Sequence, residues 1–174
     1  MKRVPDILTA SRGLIALAIA SLGFVGESAL SAVLVLTMVG WTTDIFDGRL
    51  ARRLNKESTW VGEHEFTFDM VMTFAGLCYL VMAGLFPLLI AAVYIATAAV
   101  FILVSRGSKM VTMSFAFPVV ALPLIIARTK APVALRWFVV WIVAALLLDW
   151  RRFKGVVSEF IANAKKLVNR EDQS

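Results

Sequence analysis

An all-α integral membrane bundle of six transmembrane helices, with its functional site on the cytoplasmic side, is the fold this sequence predicts. Three observations carry that reading. The chain is 60% hydrophobic with a mean hydropathy of +0.82, whereas a soluble domain is about half apolar. Six apolar runs, each near the ~20 residues that cross a bilayer, follow one another with short polar links. The basic residues are also sorted between alternate links, as a multi-pass membrane protein requires.

The spans are expected at about 10–26, 29–47, 66–85, 87–105, 110–127 and 132–150, with boundaries good to a few residues. The first follows Met1-Lys2-Arg3 and imitates a signal peptide. Arg12 interrupts its apolar core and further spans follow, so it reads as an uncleaved span. Its small residues Gly13, Ala16, Ala18, Ala20 and Gly23 permit close helix packing. Gly26-Glu27-Ser28 links the first two spans and Phe86-Pro87 the third and fourth. Arg106-Gly107-Ser108-Lys109 and Thr129-Lys130-Ala131-Pro132 make the later links. Links this short make sequential helices antiparallel neighbours.

With the N-terminus inside, only Arg128, Lys130 and Arg136 of the 18 Lys and Arg residues fall outside. Both termini therefore lie in the cytoplasm by the positive-inside rule, and the chain is multi-pass in the cell (plasma) membrane. Beyond the six-helix domain at 1–152, residues 153–174 form an amphipathic C-terminal helix and tail. There Phe153, Val156, Val157, Phe160, Ile161 and Ala164 recur at helical spacing, and such a helix lies on the membrane surface or on the protein itself. The net charge of +6 suits a bilayer and phosphorylated substrates, with no nucleic acid as partner. Cys78 is the only cysteine, which excludes an intrachain disulfide, and it reads as a small buried hydrophobe.

The stretch from Trp41 to Asp69 breaks the apolar pattern. Asp44 and Asp47 are three apart and share a helix face with Gly48 and Ala51, while Glu65 and Asp69 are four apart on the next helix. An aspartate at the centre of a membrane helix costs roughly 2.5–3.5 kcal/mol, less near the interface. Four acids meeting between two spans therefore need an offsetting partner, and a divalent cation is the obvious one. His64 reads as a solvated loop histidine, and Arg53 and Lys56 as positive-inside anchors.

Asp44-x-x-Asp47-Gly48-x-x-Ala51-Arg52, followed by Glu65-x-x-x-Asp69, resembles the D-x-x-D-G-x-x-A-R … G-x-x-x-D-x-x-x-D signature of the CDP-alcohol phosphotransferases, also called CDP-alcohol phosphatidyltransferases. The first half agrees at every defined position. The second is a variant: Val61 stands at the family's glycine, with Gly62 beside it, and Glu65 at its third aspartate. The opening Pro5-Asp6-Ile7-Leu8-Thr9-Ala10-Ser11-Arg12 is similar to the start of the phosphatidylglycerolphosphate-synthase branch.

The resemblance implies transfer of a phosphatidyl group from CDP-diacylglycerol to a small alcohol such as glycerol 3-phosphate, with release of CMP, in phospholipid biosynthesis. It implies two Mg²⁺ or Mn²⁺ ions held by Asp44, Asp47, Glu65 and Asp69, with Asp69 also the general base. Thr9, Asp44, Gly48, Ala51 and Arg52 would face the nucleotide, and Thr9 and Arg12 would reach its phosphates from the first span. Arg106, Lys109 and Arg151 would bind the acceptor's phosphate, although snorkelling cations explain them equally well. A homodimer is implied by the resemblance alone. Two other readings stand beside this one: a weakened member that binds CDP-lipid and regulates a partner, motivated by Val61 and Glu65, and a small cation transporter, which requires acids near mid-membrane.

Overall fold

The computed structural model describes residues 4–53, 64–148, 150, 154, 155 and 158. Among these the chain is entirely helical, with six α-helices: α1 (Val4–Ser21), α2 (Leu30–Arg53), α3 (Glu65–Met82), α4 (Leu88–Val104), α5 (Lys109–Lys130) and α6 (Pro132–Leu148). Two short 3₁₀ turns, Leu22–Phe24 and Glu27–Ala29, join α1 to α2. The chain divides into two units, Met1–Phe138 and Val139–Ser174. The first holds α1 to α5 and the start of α6. In the second, Lys154 Nζ lies 5.5 Å from the centroid of the Trp150 ring. The amphipathic helix expected over 153–174 lies, apart from helical Lys154, Gly155 and Ser158, outside the described residues.

Among the described residues three segments are long and apolar enough to cross a membrane: Ile7–Phe24, Glu27–Phe46 and Lys109–Lys130. Phe66–Met82, Leu88–Val104 and Pro132–Leu148 are apolar but shorter. The expected third span loses its end because α3 stops at Met82. Gly84, at φ 69°, turns the chain there, and the Leu85 and Gly84 amides close back on Leu80 and Val81. This is a Schellman cap with glycine in its usual left-handed place. The α5 helix runs on through Pro118 and Pro123, each lacking the N–H that an interior helical residue donates. Membrane helices tolerate such gaps where neighbours cover the carbonyls.

Within the first unit α1 packs on both α2 and α3, and α5 packs on α2, α3 and α4. Small residues allow the approach of α1. Ala16 is buried, and a Cβ built at Gly13 would touch the Phe68 ring at 3.4 Å. At Gly23, just after α1, a Cβ would come within 2.6 Å of Met82 Cβ. Because that neighbour is itself fixed to the backbone, Gly23→Val cannot be relieved by a rotamer change. The variant should lose about 1–3 kcal/mol of stability, read as a lower unfolding temperature in detergent.

The end of the unit remote from the acids is tied by the Tyr79 hydroxyl, which donates to the Gly26 carbonyl at 3.1 Å, and by Lys130 Nζ, 2.9 Å from Glu27 Oε1. The ion pair answers one of the three basic residues that the charge rule leaves outside. It is exposed, and pairs of that kind contribute at most about 1 kcal/mol.

The expectation for Cys78 is corrected. Its side chain is exposed on α3, with Sγ 3.7 Å from Met82 Sδ. Leu14, Leu17, Leu103 and Phe117 are exposed in the same way. In a helix that is apolar all round, hydropathy does not separate the face that meets lipid from the face that meets protein.

Candidate active site

The site forms where α1, α2 and α3 meet. The α2 helix is continuous from Leu30 to Arg53, so Asp44, Asp47, Gly48 and Ala51 fall on one stripe along its second half. The α3 helix begins at Glu65, which puts Asp69 in its second turn. The two acids at the heart of the motif, Asp44 and Asp69, are brought together. The side chains of Asp47, Gly48, Ala51, Arg52 and Glu65 lie outside the described ones, as do Val61, Gly62 and Arg151 altogether.

What joins Asp44 to Asp69 is Arg12. Its Nη1 donates to Asp44 Oδ1 at 2.8 Å and also to Asp69 Oδ1. Its Nη2 donates to Thr9 Oγ1 at 3.3 Å, one helical turn back on α1. Arg12 is fully buried, and Thr9 nearly so. The two carboxylates keep some exposure, 28% for Asp44 and 37% for Asp69. The arginine thus enters from the protein side and leaves the acids partly open on the other.

This is where sequence reasoning placed Thr9 and Arg12 differently. It aimed both at nucleotide phosphates; in the structure they also form a chain that ends on the acids. The available signal was that a lone arginine inside an apolar span must find a partner, and the acids of the next two spans are the partners within reach.

Two acceptors on one nitrogen lie no more than about 5–6 Å apart, so Asp44 and Asp69 turn carboxylate oxygens toward one shared place. The donors are carboxylate oxygens, the ligands that Mg²⁺ and Mn²⁺ prefer. Arg12 against Asp44 and Asp69 leaves one negative charge over, and Asp47 and Glu65 are on the same two helix ends. The donor set therefore fits a divalent cation. Among the described residues no three acids, histidines or cysteines converge, because two of the four predicted ligands fall outside them.

The link between α4 and α5 comes to the same end. Lys109 Nζ lies 6.0 Å from the centroid of the Phe66 ring, and Phe66 is one turn before Asp69 on α3. Arg106 is exposed and has φ 54°. The Gly107 and Arg106 amides close on Ile102 and Leu103, the same cap that ends α3 at Gly84. Here arginine occupies the left-handed position that glycine takes in α3. A side chain there costs on the order of 1 kcal/mol. His64 precedes α3 at φ −100°, and its carbonyl accepts from the Thr67 amide.

Helices of this apolarity, with an acid pair and basic residues gathered at one end, define an integral membrane protein that handles a charged ligand. The chain belongs to the CDP-alcohol phosphatidyltransferase family, whose model matches residues 2–151. That family consists of divalent-metal-using transferases that move phosphatidyl groups from CDP-alcohols in phospholipid synthesis. No curated protein and no solved structure matches the chain.

Proposed function

We propose that this chain transfers the phosphatidyl group of CDP-diacylglycerol to a small phosphorylated alcohol, with glycerol 3-phosphate the first choice, and releases CMP. The observation that carries the reading is the convergence of Asp44 and Asp69, from the two halves of the family motif, on one partly open site. The basic α4–α5 link beside Phe66 adds the preference for a phosphorylated acceptor.

In this reading Asp44, Asp47, Glu65 and Asp69 would hold two Mg²⁺ or Mn²⁺ ions, which would supply charge neutralisation at the diphosphate. Asp69 accepts the proton of the acceptor hydroxyl. The hydroxyl oxygen bonds to the phosphatidyl phosphorus, the bond from that phosphorus to the bridging oxygen breaks, and CMP leaves with the electron pair. Gly48 and Ala51 offer a low stripe for the cytidine nucleotide, and Arg52 pairs with its phosphate oxygens. Arg106 and Lys109 hold the acceptor's phosphate.

The same reading has all six helices crossing the plasma membrane, with both termini and the site on the cytoplasmic side, and a homodimer as the working unit. The 17-residue α4 and α6 helices are at the short end of the ~17–25 residues that span a bilayer, and the charge distribution supports the orientation. Asp44 and Asp69 lie towards the ends of the apolar segments Glu27–Phe46 and Phe66–Met82, which weighs against a cation transporter.

The test is CMP release from CDP-diacylglycerol by the purified chain with Mg²⁺ or Mn²⁺, across a panel of acceptor alcohols. Metal-dependent release with glycerol 3-phosphate is expected. No release with any acceptor overturns the enzymatic reading and leaves the regulatory one. Replacing Arg106 and Lys109 together with Met should raise KM for a phosphorylated acceptor by roughly tenfold or more. KM for CDP-diacylglycerol should stay near the native value. Equal rises in both would place these residues elsewhere in the reaction.

A further inference from the structure

We infer that Arg12 is the site's own counter-cation: it holds Asp44 and Asp69 together before a divalent ion binds, and it competes with that ion for the same carboxylates. The inference rests on the reading that these acids hold a metal.

The geometry is the starting point. A single positively charged nitrogen, Nη1, takes one oxygen from α2 and one from α3, the arrangement that a cation shared by the two helices would have. The guanidinium brings a positive charge to that place. It is fully buried, and it is steadied by Thr9 on its own helix. Gly13, the next residue, faces the Phe68 ring on α3, so α1 and α3 are close where the arginine reaches the acids.

Without that charge, two carboxylates a few ångströms apart at the edge of a low-dielectric bundle repel each other. Arg12 removes the repulsion and keeps α2 and α3 in register while metal is absent. The same charge disfavours an arriving divalent ion, through like-charge repulsion and through its hold on both Oδ1 atoms. A pure rivet between helices would stabilise the fold without affecting the metal. A phosphate ligand would do neither until the nucleotide binds.

The test compares the full-length native chain with Arg12→Gln and Arg12→Lys in detergent, stripped of metal and titrated with Mn²⁺ by calorimetry. Arg12→Gln should bind Mn²⁺ on the order of tenfold tighter or more. It should also unfold at a lower temperature without metal and gain more from Mn²⁺ than the native chain does. Arg12→Lys, which keeps the charge, should stay within about threefold of native affinity. Equal or weaker binding by Arg12→Gln overturns the inference while the metal reading stands. No Mn²⁺ binding by either chain overturns both. Should Arg12→Gln not fold, the native chain labelled with ¹⁵N-arginine decides. Mg²⁺ must then shift the side-chain resonance that is missing in Arg12→Lys, and an unshifted resonance overturns the inference.

Discussion

Asp69→Asn should lower CMP release by about 10²–10⁴-fold, the usual contribution of a positioned general base, while the chain stays folded. Asparagine has the same shape and keeps a carbonyl oxygen that can accept from Arg12 Nη1, so the bridge from α1 to α3 survives. What it lacks is the ability to take a proton from the acceptor hydroxyl. The loss should therefore fall on the rate of a single turnover, with KM for CDP-diacylglycerol changed little. Measuring Mn²⁺ binding beside the rate separates the two roles given to Asp69. A large fall in rate with metal still bound identifies the proton acceptor. Rates within a few-fold of native would remove Asp69 from the chemistry.

Asp44→Ala should be the more damaging change, because it strikes stability and activity together. Arg12 is wholly buried, and Asp44 is one of its carboxylate partners. Deleting that partner while Asp69 and Thr9 remain costs about 1–3 kcal/mol, short of the 3–5 kcal/mol for a pair broken outright. For a chain of this size each kcal/mol lowers the unfolding temperature by about 2–4 °C. Asp44→Asn keeps a hydrogen-bond acceptor and should recover part of the stability, whereas metal-dependent CMP release should be lost in both. An Asp44→Ala protein as stable as the native chain would mean that the Arg12 bridge does not hold α2 to α1.

Most of the helix pattern was legible because it is written in local composition. Hydropathy located all six helices, and the links named from Gly26, Phe86–Pro87, Arg106–Lys109 and Lys130–Pro132 are where the chain turns. The differences have local causes. The third run ends early at a glycine cap, and the fifth continues to Lys130, beyond the residue at which apolarity fades. Burial was harder to read. Cys78 and Phe117 look no different in sequence from Tyr79 and Val119, yet the first two are exposed and the last two buried. A membrane helix carries no polar face to mark its outside.

The acid motif was legible from spacing, since Asp44, Asp47, Gly48 and Ala51 repeat at the helical period and Asp69 opens the next helix. By itself the sequence determined an all-helical membrane chain, the places where its helices stop, and a family whose carboxylates are spaced along two helices. Tertiary structure alone decided that Arg12, more than thirty residues from either acid, is their shared partner, and that Arg106 takes a left-handed turn at the end of the bundle where they meet. Local rules reach one or two helical turns along a chain. A charge buried on one helix is answered by whichever side chains the packing of its neighbours brings within hydrogen-bond distance, and that choice belongs to the assembled bundle.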